Sequence, residues 1–133
     1  MNYFEPHLTP DELRAISAIG LAHMGDAVYE TLVRTWLCVH GTATGKELHR
    51  ATIALVCAQK QAELAQRVLP QLTEEELAVY KRGRNANVHA MPRSATPAQY
   101  HAATGLECLM GWLYLQGNKE RAEQLFHAMM EEE

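Results

Sequence analysis

The sequence predicts an all-α protein built as a helical bundle, and three observations support this fold class. Apolar residues recur at intervals of three and four along most of the chain, as they do on the buried face of a helix. Helix-start and helix-stop residues flank these periodic segments, whereas runs of alternating β-branched residues are absent from the sequence. The length of 133 residues, with 47% hydrophobic residues, predicts one domain spanning residues 1–133.

The chain begins with two predicted helices. Thr9 can cap the first, and Glu12 completes a capping box, so this short helix is expected to reach about Ile19. The second should occupy residues 20–39, because its apolar residues follow one helical face and Gly41 supplies a stop. These apolar residues are Leu21, Met24, Val28 and Leu32.

Four further helices complete the predicted bundle. The first of them should run without interruption over residues 45–69, where Pro70 ends it. A capping box opens the next helix over residues 73–87, and the stretch 88–96, which has no apolar period, is expected to be a loop. The last two helices are expected over residues 96–116 and 119–130.

Composition and charge exclude several classes of protein. The formal net charge is −4 and the pI is near 6.0, so attraction to RNA or to a membrane surface must come from a local patch. Three cysteines without a C-x-x-C pair argue against a disulfide framework and against a thiolate zinc site. This cysteine usage, and the absence of a leader-like or long apolar segment, predict a cytoplasmic protein.

Two carboxylates lie where a helix does not favour them. Asp26 falls in the middle of the second predicted helix beside Gly25, and both residues have poor helix propensity. Glu107 is the only formally charged residue between Arg93 and Lys119, on a predicted helix that is apolar on nearly all sides. A carboxylate in such surroundings is costly unless it is paired, protonated or bound to a cation.

The residues alone leave two interpretations of these acids open. If the second and fifth helices pack together, Asp26 and Glu107 can share a hard cation such as Mg²⁺, which takes oxygen ligands and can activate water at a phosphate. Alternatively, Gly25 allows close helix packing while Asp26 pairs with an arginine, and Glu107 bonds to a tyrosine, threonine or histidine. Gly105 and Gly111 flank Glu107 and would let another backbone or a ligand come close.

Basic residues are concentrated in one acid-free interval. No acid occurs over residues 77–106, and this interval has a charge of +4 from Lys81, Arg82, Arg84 and Arg93. These cations could contact a polyphosphate while the carboxylates hold a metal. A solvated helix end explains them equally well, because cations near a helix C-terminus favour the helix dipole. The same two alternatives, RNA contact or a solvated face, apply to Gln59, Lys60 and Gln61.

Four segments of the chain resemble motifs of one enzyme family. Residues 21–30 (LAHMGDAVYE) resemble the signature helix of the ribonuclease III catalytic domain, and residues 105–111 (GLECLMG) resemble its second acidic motif. Residues 47–52 (ELHRAT) and 81–86 (KRGRNA) are similar to motifs of Mini-ribonuclease III, the short bacterial branch that lacks a double-stranded-RNA-binding domain. The resemblance extends over residues 10–130, with the order and spacing of every motif kept.

This resemblance implies an activity, a cofactor and a set of site residues. A member of this family is expected to be an all-helical homodimer that cleaves double-stranded RNA, leaves 5′-phosphate ends and matures precursor 23S ribosomal RNA. Asp26 and Glu107 would be the catalytic and metal-binding residues for Mg²⁺, with Mn²⁺ as a substitute. A ribosomal protein could present the substrate. The residues that would contact RNA are Lys81, Arg82, Arg84, Asn85 and Arg93.

The sequence also departs from the larger members of that superfamily. Those proteins have four acids per site, but Ala22 and Thr104 occupy two of the positions here, so water and phosphate oxygens would complete the coordination of a metal. Two other classes of function stay open. The fold could bind structured RNA or the ribosome without cutting, although both acids are present, or it could serve as a helical scaffold, which needs no acid-free basic interval.

Overall fold

The computed structural model describes residues 1–41, 44–86 and 94–131, and within these ranges the chain forms seven α-helices and no β-strand. The predicted all-α fold class is therefore confirmed. None of the helices in these ranges is long and apolar enough to cross a membrane. The helices are α1 (Pro10–Arg14), α2 (Ala18–Val39), α3 (Gly45–Val56), α4 (Ala58–Val68), α5 (Glu74–Arg84), α6 (Pro97–Leu115) and α7 (Lys119–Met129), with a 3₁₀ turn (Leu69–Gln71) after α4.

Helix α6 lies at the centre of the bundle. It packs against α2, α5 and α4, and α7 adds further apolar residues to the same core. The fully buried Leu106, Leu109 and Leu113 of α6 share this core with Tyr29 and Val33 of α2. Shortening one of these leucines to alanine would lower the free energy of unfolding by about 2–5 kcal/mol. The predicted burial of the fifth helix on nearly all sides is therefore confirmed.

Helices α2 and α6 cross with their backbones in contact at Gly25 and Gly111. A Cβ atom added to Gly25 would overlap the carbonyl oxygen of Glu107, and one added to Gly111 would overlap the carbonyl oxygen of Leu21. Any side chain at either position would therefore push the helices apart. The expectation that these two glycines permit close backbone approach is confirmed.

The boundary between the first two helices differs from the prediction. Helix α1 ends at Arg14 and does not reach Ile19, and α2 begins at Ala18. The reason is local, because the Ser17 side chain accepts a hydrogen bond from the Gly20 backbone N–H at 2.9 Å and caps a new helix.

The third predicted helix is broken at Cys57 into α3 and α4, and we call this break the α3–α4 corner. Cys57 is extended, with φ −65° and ψ 152°, so the carbonyl oxygens of Leu55 and Val56 lose their helical partners. Side chains replace those partners: the Tyr29 hydroxyl donates to the Leu55 oxygen at 2.6 Å, and Gln61 Nε2 donates to the Val56 oxygen at 2.8 Å. The predicted uninterrupted helix is therefore wrong, because a tyrosine from α2 stabilises the break.

The remaining boundaries agree closely with the prediction. Helix α5 ends at Arg84, three residues before the predicted end at Asn87, and α6 and α7 begin and end within one residue of their predicted bounds. Of the predicted loop over residues 88–96, the structure describes only residues 94–96, and these are not helical.

Candidate active site

A cleft of about 450 Å³ opens beside the crossing of α2 and α6. Its walls come from these two helices and from the α3–α4 corner. Both acids that stand out in the sequence line this cleft, one from each helix. The residues that matter for its chemistry are Ala22, Asp26, Cys57, Gln61, Thr104 and Glu107.

The helix crossing brings Asp26 and Glu107 together. Gly25, which precedes Asp26 on α2, contacts the backbone of Glu107 on α6, and the two carboxyl groups lie within hydrogen-bonding range. Asp26 is exposed, whereas Glu107 is half-buried. Within the described ranges, no arginine forms an ion pair with Asp26, so the alternative in which this acid pairs with an arginine is not supported.

The electrostatics of Glu107 are unfavourable for a charged carboxylate. Burial raises its pKa, and a hydrogen bond to Asp26 together with the charge of Asp26 raises that pKa further, to about 8. A hydrogen bond from Gln61 acts in the opposite direction. Without a metal, Glu107 therefore holds a proton at neutral pH, which avoids two like charges side by side. A divalent cation between the carboxylates would take the place of that proton.

The donor set fits a hard divalent cation that keeps several non-protein ligands. Carboxylate oxygens are the ligands that Mg²⁺ prefers, and an open cleft leaves room for water and phosphate oxygens. Among the described residues, no group of three or more His, Cys, Asp or Glu side chains could hold a metal. Thr104 adds no ligand as it stands, because it is buried and its hydroxyl donates to the Tyr100 carbonyl oxygen at 3.0 Å.

The predicted RNA-binding residues lie at the C-terminal end of α5, except for Arg93, which lies outside the described residues. Arg82 Nη2 donates to the Ile16 carbonyl oxygen at 2.9 Å and so ties α5 to the segment before α2. The Arg84 guanidinium lies over the Tyr80 ring, 5.9 Å from its centroid. The four described residues, all exposed, are Lys81, Arg82, Arg84 and Asn85.

Asn85 has a structural role in addition to the predicted one. Its backbone N–H donates to the Lys81 carbonyl oxygen at 2.9 Å, so Asn85 caps α5. Its side-chain Oδ1 accepts a hydrogen bond from Arg84 Nε at 3.4 Å. Its side chain is exposed, and contact with a ribose stays a prediction.

Sequence reasoning missed Gln61 as part of this cleft. An RNA contact or a solvated face was expected, but the residue is only 2% exposed. A signal was present in the sequence, because Gln61 lies three, four and seven residues before apolar residues of the same helix face. The corner at Cys57 changes which face of the chain α4 buries. The apolar residues on this face are Leu64, Ala65 and Val68.

Comparisons with known proteins agree on one family. Residues 20–118 match the family described as Ribonuclease III domain. A Mini-ribonuclease 3 of Symbiobacterium thermophilum is 45% identical over 108 residues, which cover 81% of this chain and 83% of the relative. A Mini-ribonuclease 3 of Enterococcus faecalis is 42% identical over 118 residues, which cover 87% of this chain and 89% of the relative.

A solved structure has the same fold. The crystal structure of a protein from Fusobacterium nucleatum is similar with a TM-score of 0.82 and 28% sequence identity, covering 90% of this chain and 95% of that chain. The fold and the matched domain define the class, which is the ribonuclease III domain proteins. Within that class, the chain belongs to the Mini-ribonuclease 3 family. Membership supports endoribonuclease activity, and ribonuclease III proteins generally depend on a divalent metal.

Proposed function

We propose that this protein is a metal-dependent endoribonuclease that cleaves double-stranded RNA in the cleft between α2 and α6. One observation carries the proposal: Asp26 and Glu107, from two different helices, form a close pair of carboxyl groups in an open cleft. Such a pair is unfavourable alone and becomes favourable when a divalent cation joins it. Residues 1–133 would form a single catalytic domain.

Asp26 and Glu107 would hold the metal, which we propose to be Mg²⁺ with Mn²⁺ as a substitute. When bound, the ion activates water and neutralises charge on the phosphate oxygens. Hydrolysis would join a water oxygen to phosphorus and break the bond between phosphorus and the 3′ oxygen, which leaves a 5′-phosphate and a 3′-hydroxyl. The chain contributes rigidity, because the glycine-mediated crossing fixes the two acids relative to each other.

The RNA would be recognised mainly by its backbone and shape, because the narrow major groove of A-form RNA hides the base edges. The cations of the acid-free interval would contact its phosphates. Arg82 uses one N–H group on Ile16, and its guanidinium retains other donors for this role. The residues proposed to contact RNA are Lys81, Arg82, Arg84, Asn85 and Arg93.

Family membership supports the oligomeric state that we propose. Ribonuclease III proteins usually act as dimers, so we propose a homodimer in which each subunit cuts one strand of the duplex. The substrate we propose is precursor 23S ribosomal RNA, presented by a ribosomal protein. That substrate would place the activity in the cytoplasm.

Cleavage of an end-labelled RNA duplex tests the proposed function. Wild type should cut the duplex in the presence of Mg²⁺ and fail to cut when the metal is chelated. Asp26→Asn and Glu107→Gln should each lower the rate by about 10³-fold, because several kcal/mol of transition-state stabilisation are lost. Wild type that binds the duplex but cuts it with neither Mg²⁺ nor Mn²⁺ would replace the nuclease with an RNA-binding module.

The basic end of α5 has a separate test. Lys81→Ala should weaken binding of the duplex to a similar extent for different sequences and should reduce the slope of log affinity against log salt by about 1. Fluorescence anisotropy at several salt concentrations measures both quantities. Lys46→Ala, a charge-matched change of an exposed lysine on α3, serves as the control. An unchanged salt slope in Lys81→Ala would remove this residue from the RNA-binding surface.

A further inference from the structure

Gln61 is a buried polar residue that lines the cleft beside the crossing of α2 and α6. It lies in the first turn of α4, directly after the α3–α4 corner, and only 2% of its surface is exposed. It lines the same cleft as Asp26 and Glu107. Burying an amide is costly unless the amide is hydrogen-bonded, so its partners indicate what this residue does.

The Gln61 side chain contacts the backbone of the corner and interacts with the acid. Nε2 donates to the Val56 carbonyl oxygen at 2.8 Å, and the amide lines the same cleft as Glu107, close enough to lower the pKa of this acid. A lowered pKa is the effect of an N–H group that donates to the charged carboxylate, so the donor end of the amide faces Glu107. Among the described residues, Gln61 Oε1 has no hydrogen-bond partner. The side chain therefore uses its donor end, which joins the backbone of the corner to the acid.

The α3–α4 corner makes this link possible. In an uninterrupted helix the Val56 oxygen would accept a backbone N–H one turn later, and no carbonyl would be free to hold the amide. At the corner the Leu55 oxygen accepts from Tyr29, and the Val56 oxygen accepts from Gln61. The first bond anchors the corner to α2, whereas the second fixes the amide that lines the cleft beside Glu107. Both bonds hold the corner, but only the Gln61 amide lowers the pKa of Glu107; the Tyr29 hydroxyl feels the charge of Glu107 without forming a hydrogen bond to it.

We propose that Gln61 is a positioning residue for the nuclease site, which holds the Glu107 carboxylate in the orientation that lets it share a divalent cation with Asp26. This inference rests on the proposed function of the same cleft. Groups that hydrogen-bond a metal ligand orient that ligand, and their removal typically costs 10–100-fold in metal affinity or activity.

The test compares Gln61→Met with Tyr29→Phe. Gln61→Met retains the approximate volume and removes the donor to both Val56 and Glu107. Tyr29→Phe removes the corner bond to Leu55, leaves the Gln61 amide in place and retains the buried ring. Thermal unfolding shows whether each variant is folded. Two measurements follow: binding of Mn²⁺ alone by electron paramagnetic resonance, and kcat and KM on an RNA duplex.

Gln61→Met should bind Mn²⁺ about 10-fold or more weakly than wild type and lose about 10–100-fold in kcat, with KM for RNA changed less than about twofold. Tyr29→Phe should be less stable but should retain the Mn²⁺ affinity and kcat of wild type. Equal losses of affinity and kcat in both variants would overturn the inference, because Gln61 would then act only through the corner.

Three further outcomes decide the matter. If Gln61→Met fails to fold, Gln61→Asn replaces it. The asparagine side chain is one methylene too short for its amide to reach both Val56 and Glu107. We then expect smaller losses of Mn²⁺ affinity and kcat. Wild-type Mn²⁺ affinity and kcat in a folded Gln61 variant would overturn the inference and leave the nuclease in place. Weaker Mn²⁺ binding in that variant, with no cleavage by wild type, would support the positioning role and overturn the nuclease.

Discussion

Two glutamates of the bundle have opposite electrostatics. On α5, a hydrogen bond from the Arg121 guanidinium lowers the pKa of the buried Glu76, and this effect exceeds that of burial. On α6, burial and then Asp26 raise the pKa of Glu107 to about 8. The two residues are alike in type and both are removed from bulk water, so the difference comes from the partner. The Arg121 guanidinium stabilises the charged form of Glu76, whereas the Asp26 carboxylate destabilises the charged form of Glu107.

The partners of Glu76 all come from within the chain. Arg121 Nε and Nη2 donate to its two carboxylate oxygens at 2.8 and 2.9 Å, and the Thr73 backbone N–H donates to one of them at 2.9 Å. Arg121 Nη2 also donates to the Gln71 carbonyl oxygen at 2.9 Å. Glu76 therefore joins α5, the 3₁₀ turn and α7 and needs no ligand. Among the residues that the structure describes, no such cation pairs with the acids at Glu107, which is the property expected of a metal site.

Of the changes at these two glutamates, replacing Glu76 should have the largest effect on stability. Glu76→Gln removes the charge and leaves the Arg121 guanidinium without its counter-ion, so we expect the free energy of unfolding to fall by about 2–3 kcal/mol. Urea unfolding at pH 7 measures this loss, and RNA cleavage by the folded variant should equal that of wild type. A stable but inactive Glu76→Gln would contradict the contrast between the two glutamates.

Replacing Glu107 should instead raise the free energy of unfolding. Its folded-state pKa of about 8 lies above the ordinary value of 4.5, so the folded state holds more protons between these values and stability falls as the pH rises through them. Glu107→Gln removes that loss, and at pH 8 without metal we expect a gain on the order of 1–2 kcal/mol. The measurement is urea unfolding in the presence of a chelator.

Divalent cations provide the control for this gain. Mg²⁺ should raise the stability of wild type, because a ligand that binds only the folded state stabilises it, and it should leave Glu107→Gln unchanged. A destabilised Glu107→Gln in the absence of metal would mean that the acid pair is a structural feature, like Glu76.

The smallest expected effect is the pH dependence of the Glu76 contribution. Its folded-state pKa is lowered, so the stabilisation is fully present above the ordinary value of 4.5 and is lost as the pH falls through the folded-state value. The stability difference between wild type and Glu76→Gln should therefore shrink by about 1 kcal/mol as the pH falls below about 4.5. Urea unfolding at a series of pH values measures it, and a difference that grows on acidification would contradict the lowered pKa.

Helix starts were predictable because their signals are local. The capping boxes at Thr9 and Thr73 both form, with the N3 glutamate in each case bonded to the backbone of the cap. The Thr-Pro pair at Thr96 likewise begins α6. Ser17 is a helix-capping residue of the same kind, and the helix that it begins accounts for the wrong end predicted for the first helix.

Part of the candidate site was predictable, because two of its residues are energetically unfavourable in the helices that contain them. Asp26 and Glu107 stand out in the sequence because a helix interior disfavours both, and the structure brings them to one cleft. Gln61 does not stand out in this way, because glutamine has good helix propensity and is common on solvent-exposed helix faces. Its burial follows from the corner at Cys57, which periodicity did not predict.

The amino-acid sequence alone was enough for the helical class, most helix bounds and the separation of acids from bases. These features depend on residues a few positions apart, whose hydrogen bonds and spacing are the same in any fold. Tertiary packing decided the rest: the break between α3 and α4 and the opposite electrostatics of Glu76 and Glu107. Each of these depends on a partner distant in the chain, namely Tyr29, Arg121 and Asp26, and such a partner is known only when the helices have packed.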